Sequence, residues 1–176
     1  MSETKNINFV LSNGKNVIMR YSKAITYYKQ ACSIANNFSK DSSTKVGALF
    51  LYPETLNILS VGYNGMPRGI DETILERWDR PLKYKLVEHA ERNAIYNSAM
   101  SGTSLKDSIC VVSLFPCSDC ARGIIQSGCK LVISLALEDS GNDRHNRWKD
   151  DWNISMMMLN EAGVKLVFIK ENELSV

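Results

Sequence analysis

SICVVSLFPCSDCARGIIQSGCKLVISLAL, residues 108–137, reads as a strand, a helix and a second strand in one uninterrupted run. SICVVSLF is β-branched, SDCARGIIQSG carries apolar residues at helical spacing with Gly128 as its stop, and KLVISLAL returns to strand composition. A helix joining two strands of one sheet makes a right-handed crossover and leaves the strands parallel. Upstream, VGALFLY and LNILSVGY flank the turn signal Pro53-Glu54, which predicts an antiparallel hairpin over about 46–62. An amphipathic helix is expected from Tyr21 to near Lys40, and another from His89 to about Ser101 with its stop at Gly102. Downstream, the polar stretch EDSGNDRHNRWKD reads as a loop, followed by a helix from about Trp152 to Ala162, a stop at Gly163 and a last strand, VKLVFI. The order αββαβαβαβ predicts an α/β fold: a mixed five-stranded sheet with helices on its faces. Residues 1–20 read as an N-terminal appendage to a single domain spanning 1–176.

Composition narrows the class. Hydrophobic residues make up 44% and charged residues 23% of the chain, as in ordinary globular proteins. No apolar run approaches the roughly 18 residues of a spanning helix, and MSETKNINFV lacks a leader pattern, so a cytoplasmic protein without a membrane partner is expected. The net charge is only +2, with basic residues scattered, which argues against nucleic acid as a partner. Five cysteines are too few and too uneven for a disulfide scaffold, so a close pair is better read as metal-binding.

Cys117 and Cys120 form such a pair, C-x-x-C directly after Pro116, at a strand-to-helix junction. A helix start favours thiolates through its unpaired N–H groups and dipole. His89 opens the other helix and can supply a third ligand, and Glu91 follows it by two residues. Zinc held by three protein ligands leaves its fourth position to a water whose pKa falls to about 7. Two thiolates and one imidazole balance the ion's charge, and a carboxylate that does not ligate, Glu91, can carry protons between that water and a substrate. H-x-E followed by P-C-x-x-C is the signature of zinc-dependent nucleobase deaminases.

HAERNAI with PCSDCARGIIQSG resembles the cytidine deaminase superfamily, and SKDSSTKVGALF, GYNGMPRG and EAGVKLVFI resemble its deoxycytidylate (dCMP) deaminase branch. The likeness runs from about Tyr21 to Ile169. It implies a three-layer α/β/α sandwich, one Zn²⁺ per chain on His89, Cys117 and Cys120, and Glu91 as the catalytic proton shuttle. It also implies a sugar contact from Asn64 and a contact from the Ala90 N–H to the base carbonyl. The implied reaction takes dCMP to dUMP and ammonia, supplying dUMP for thymidylate synthesis. The loop Gly62, Tyr63, Asn64 and Gly65 is implied in binding dCTP or dTTP effectors, with Mg²⁺ accompanying the nucleotide, and the assembly in a homo-hexamer. An extra structural zinc in some members uses Cys and His upstream, and residues 33–88 contain neither. Some members also hold the 5′-phosphate with an arginine near the far end of the catalytic helix, where this chain has Met100, so the phosphate donors stay open.

Lys45, Arg68, Arg80, Lys83 and Arg92 are the basic candidates for that phosphate, Arg68 first because it follows the GYNG loop. Trp148 and Trp152 border the last polar loop and read as core or interface ahead of a cover closing over substrate, His145 as an exposed polar residue, and Cys32, Cys110 and Cys129 as small hydrophobes. Two other functions share the motif: a deaminase acting on tRNA or single-stranded DNA, and an inactive zinc-stabilised nucleotide-binding module. The weak basic balance disfavours the first, and the free carboxylate of Glu91 disfavours the second.

Overall fold

A computed structural model describes residues 5–137 and 143–174, without the side chains of 143–145. Five strands form one sheet: β3 (Gly47–Leu51), β4 (Ile58–Tyr63), β5 (Ile109–Val112), β6 (Leu131–Leu135) and β7 (Lys165–Ile169), in the spatial order β4-β3-β5-β6-β7. β3 pairs antiparallel with β4 and β5, whereas β5, β6 and β7 run parallel, as the strand–helix–strand reading of 108–137 requires. Both faces of the central strands are buried, and their alternation divides the core. Leu49, Leu51, Ile109, Val111, Leu131 and Ile133 point to one side; Ala48, Phe50, Cys110, Val112 and Val132 point to the other.

Helix α1 (Tyr21–Phe38) covers the first side with Tyr21, Ala24, Tyr28, Ala31 and Ala35, spaced by three and four residues along one stripe. The second side carries α3 (Ala90–Ser101), α4 (Ser118–Gln126) and α5 (Asp143–Glu161). The result is the expected three-layer α/β/α arrangement. A single turn of helix, α2 (Lys83–Leu86), interrupts the long loop before α3. Among the described residues no helix is long and apolar enough to cross a membrane.

Two elements depart from the sequence reading. The N-terminal residues form a hairpin, β1 (Asn6–Val10) and β2 (Asn16–Arg20), whose inward residues Ile7, Phe9, Val17 and Met19 join the core under α1. Its turn contains Asn13-Gly14, with Gly14 at φ 82°. Helix α5 starts at Asp143 instead of Trp152, so most of the expected polar loop is its first two turns. Trp148, Trp152, Ser155 and Leu159 fall at helical spacing, and the last three are buried or nearly so. The polar composition hid this stripe. Residues 138–142 and the His145 side chain lie outside the described residues.

Candidate active site and metal centre

His89 is the N-cap of α3 and Cys117 the N-cap of α4, so the two motif residues stand where two helices begin. The starts are locked to each other. Arg92 Nε lies 2.5 Å from Glu88 Oε1, just ahead of α3, and its Nη1 lies 3.5 Å from Asp119 Oδ2 in the first turn of α4. Asp151, from α5, accepts hydrogen bonds from the Ser118 N–H at 2.8 Å and the Ser118 hydroxyl at 2.6 Å, capping α4 from outside its own sequence. The close seat of α3 on β4 depends on Gly62, where a Cβ would collide with the Ala90 carbonyl oxygen and the Ala94 nitrogen.

This frame brings His89 Nδ1 to 3.3 Å from Cys117 Sγ and 3.5 Å from Cys120 Sγ. The three ligand atoms all lie within 4.8 Å of one another, the one such cluster of His, Cys and carboxylate groups among the described residues. Zinc bonds of about 2.3 Å to sulfur and 2.0–2.1 Å to nitrogen give tetrahedral edges of about 3.5–3.8 Å, so both spacing and donor chemistry fit Zn²⁺. A hydrogen bond from the Cys120 thiol, and then one from His89, hold the Cys117 thiol down at about 5. The same hydrogen bond, in which the Cys120 thiol is donor, together with burial, raises Cys120. Glu91 is 3% exposed, and burial first and the Cys117 charge second push its carboxyl up to about 7. Cys110 and Cys129 are buried in apolar surroundings, with Cys129 pushed up to about 11, consistent with small core residues.

The cluster sits in the floor of a cleft of about 800 Å³, part of it open to solvent. Val46, Leu114, Phe115, Trp148 and Trp152 give it apolar walls, and Ala90 and Glu91 line its floor beside His89 and Cys117. The N–H groups of the first turn of α3, that of Ala90 among them, have no intrahelical acceptor.

The remaining candidates are placed differently. Asn64 lines the cleft, but its amide is fully engaged. Oδ1 accepts from the Val46 N–H at 2.7 Å and the Ser39 hydroxyl at 2.8 Å, while Nδ2 donates to the Thr44 carbonyl at 2.8 Å and Asp41 Oδ2 at 3.1 Å. It fastens the 39–46 loop that forms one wall. Arg68 does not line the cleft; it is exposed and hydrogen-bonded to Asn97 of α3. Of the GYNG loop, Gly62 and Gly65 are buried against α3 and Glu88, and Tyr63 is exposed and stacked on Phe38 at 5.6 Å between ring centroids. Met100 is exposed at the far end of α3.

Three further cleft residues carry no role in the sequence reading that the structure bears out. Asp41 and Lys83 form a buried ion pair, 2.6 Å between Oδ2 and Nζ, on the cleft wall, and Arg147 reaches the cleft from α5. Asp41 stands ahead of two serines and a threonine, an Asx-turn signal, but its pairing with a residue 42 positions away has no local trace.

The model for the cytidine and deoxycytidylate deaminase zinc-binding region matches residues 21–136. Human deoxycytidylate deaminase is 36% identical over 144 residues, covering 78% of this chain and 75% of the human one. An uncharacterised deaminase of Aliivibrio fischeri is 32% identical over 148 residues, covering 84% and 95%. Among solved structures, the dCMP deaminase of cyanophage S-TIM5 in complex with dCMP and dUMP superposes with a TM-score of 0.67 at 28% identity, covering 86% of this chain and 99% of that one. Zinc-centre geometry, sheet order and these similarities agree: this chain belongs to the cytidine and deoxycytidylate deaminase family.

Proposed function

We propose that the protein is a zinc-dependent hydrolase that converts dCMP and water to dUMP and ammonia. The observation that carries this reading is the His89, Cys117 and Cys120 cluster with buried Glu91 beside it on the floor of a cleft with apolar walls. The dCMP and dUMP bound to the cyanophage relative support the choice of substrate. His89, Cys117 and Cys120 would hold the metal, which when bound supplies Lewis-acid activation of water. Glu91, buried beside the ligands, is placed to hold and release a proton, as a group must that takes a proton from water, gives one to N3 of cytosine and then one to the leaving amine. The Ala90 N–H, a donor without an intrahelical acceptor on the cleft lining, would meet the base carbonyl, and the apolar walls would exclude bulk water from the reacting carbon. Asn64, through the 39–46 loop, holds the wall that the sugar meets.

The same reading includes a regulatory nucleotide, dCTP or dTTP with Mg²⁺, at the Gly62–Gly65 loop, a homo-hexamer and a cytoplasmic location. Support for the effector and the hexamer is the family resemblance, and for the effector also the exposed Tyr63–Phe38 stack; the location rests on the want of a long apolar run among the residues. The test is to incubate the purified protein with a panel of cytosine nucleosides and nucleotides and a tRNA, and to resolve the products by chromatography. Conversion of dCMP well ahead of deoxycytidine is expected. Equal kcat/KM for the two, or deamination of the tRNA alone, would overturn the reading.

A further inference from the structure

We propose that Arg80 and Arg147, which line the cleft from separate elements, form a clamp for the 5′-phosphate of the bound nucleotide. The proposal rests on the nucleotide reading above and names the groups that recognise its phosphate. Three cations line the cleft: Arg80, Lys83 and Arg147. Lys83 is spent inside the protein. Its ammonium contacts both Asp41 oxygens, at 2.7 and 2.6 Å, and the Ser43 hydroxyl at 2.5 Å, which uses all three of its donors. Arg80 and Arg147 are exposed, and among the described residues neither lies within salt-bridge distance of a carboxylate. Arg80 meets only the face of Tyr84, 5.8 Å from the ring centroid, a contact that leaves the guanidinium edge open.

The carboxylates of the same cleft do not cancel these charges. Asp41 is neutralised by Lys83, and Glu91 lies at the floor beside the metal ligands. The cleft lining therefore carries two guanidinium groups that, among the described residues, have no carboxylate partner, contributed by separate elements, the segment before α2 and the second turn of α5. A base seated on the floor directs its ribose and phosphate outward, and a phosphomonoester is close to a dianion at neutral pH. Two planar forks facing one dianion match it in charge and in hydrogen-bond geometry. The other candidates are occupied or displaced: Arg92 ties α3 to α4, Arg68 bonds Asn97 away from the cleft, and Lys45 Nζ donates to the Asn36 carbonyl at 3.2 Å.

Binding and turnover together test the clamp. Calorimetric titration of the zinc-loaded wild type with dUMP and with deoxyuridine should show dUMP binding at least tenfold more tightly. Arg80→Gln and Arg147→Gln should each cut dUMP affinity by about tenfold to a hundredfold while changing deoxyuridine affinity by less than about twofold, and Arg68→Gln should change neither. Circular dichroism melting of each variant separates loss of fold from loss of the clamp, and Arg80→Lys and Arg147→Lys should recover part of the dUMP affinity. Turnover of dCMP with dUMP affinity indifferent to both arginines overturns the clamp and leaves the proposed reaction standing. Arginine-dependent dUMP binding without dCMP turnover supports the clamp and overturns the reaction.

Discussion

At the scale of single residues, the chemistry concentrates in four side chains whose roles separate experimentally. Glu91 ligates nothing in the arrangement described, so Glu91→Gln should retain one zinc per chain and the wild-type melting temperature. Turnover should fall by several orders of magnitude, because an amide neither takes nor gives the proton. Steady-state kinetics beside elemental analysis checks this, and near-normal turnover would remove Glu91 from the mechanism. Cys117→Ala has the opposite signature: zinc content should drop well below one per chain and the melting temperature should fall, because metal binding and folding are coupled. Unchanged metal content would refute its assignment as a ligand. The motif residues were legible because their partners are near in sequence or share a helix start; Asn64 was legible as a cleft residue, but not as one whose amide is already engaged.

Between elements, the 39–46 loop is pinned to α2 by Asp41 and Lys83. Burial alone would raise the Asp41 carboxyl, but hydrogen bonds from Lys83, Ser43 and Thr44 hold it below its ordinary 3.8. A carboxyl lowered in the folded state stabilises it fully above the ordinary value, and the contribution disappears as pH falls through the lowered one. Acid unfolding of the wild type should therefore be steeper below pH 3.8 than that of Asp41→Asn, which already lacks the charge; parallel curves in urea titrations across pH would count against the pair. Lys83→Met leaves Asp41 buried without a counter-ion and should cost about 3–5 kcal/mol, with part recovered when Asp41→Asn is added. Nothing in KYKLVEH signals that Lys83 is buried, since lysines on a short polar helix are ordinarily solvated.

For the molecule as a whole, the N-terminal hairpin closes the side of the sheet that α1 covers and lies in a different layer from the cleft. Phe9→Ala, which deletes a ring only 5% exposed, should destabilise the fold by about 3–5 kcal/mol in urea. Its kcat/KM below the unfolding range should stay at the wild-type value, and a loss of activity without a loss of stability would mean that the hairpin acts on the site. The sequence held a signal for this element: Ile7, Phe9, Val17 and Met19 alternate on both sides of Asn13-Gly14, the strongest short hairpin pattern. The start of α5 had a weaker one, since the Trp148, Trp152, Ser155, Leu159 stripe is interrupted by a serine and surrounded by charge.

By itself the sequence determined what depends on local order: strand and helix alternation, the parallel crossovers, the helix stops at Gly102 and Gly163, and the choice of His89, Glu91, Cys117 and Cys120 as the candidate site. Periodicity, capping and the spacing of metal ligands act over a few residues and leave their mark there. Tertiary structure alone decided which charges are consumed and which are open. Lys83 and Arg92 are tied up by carboxylates from other elements, Arg68 stands outside the cleft, and the early start of α5 carries Arg147 and Trp148 to its wall. A charge is neutralised by whatever lies within a few ångströms, and in a folded chain those neighbours come from anywhere in the sequence.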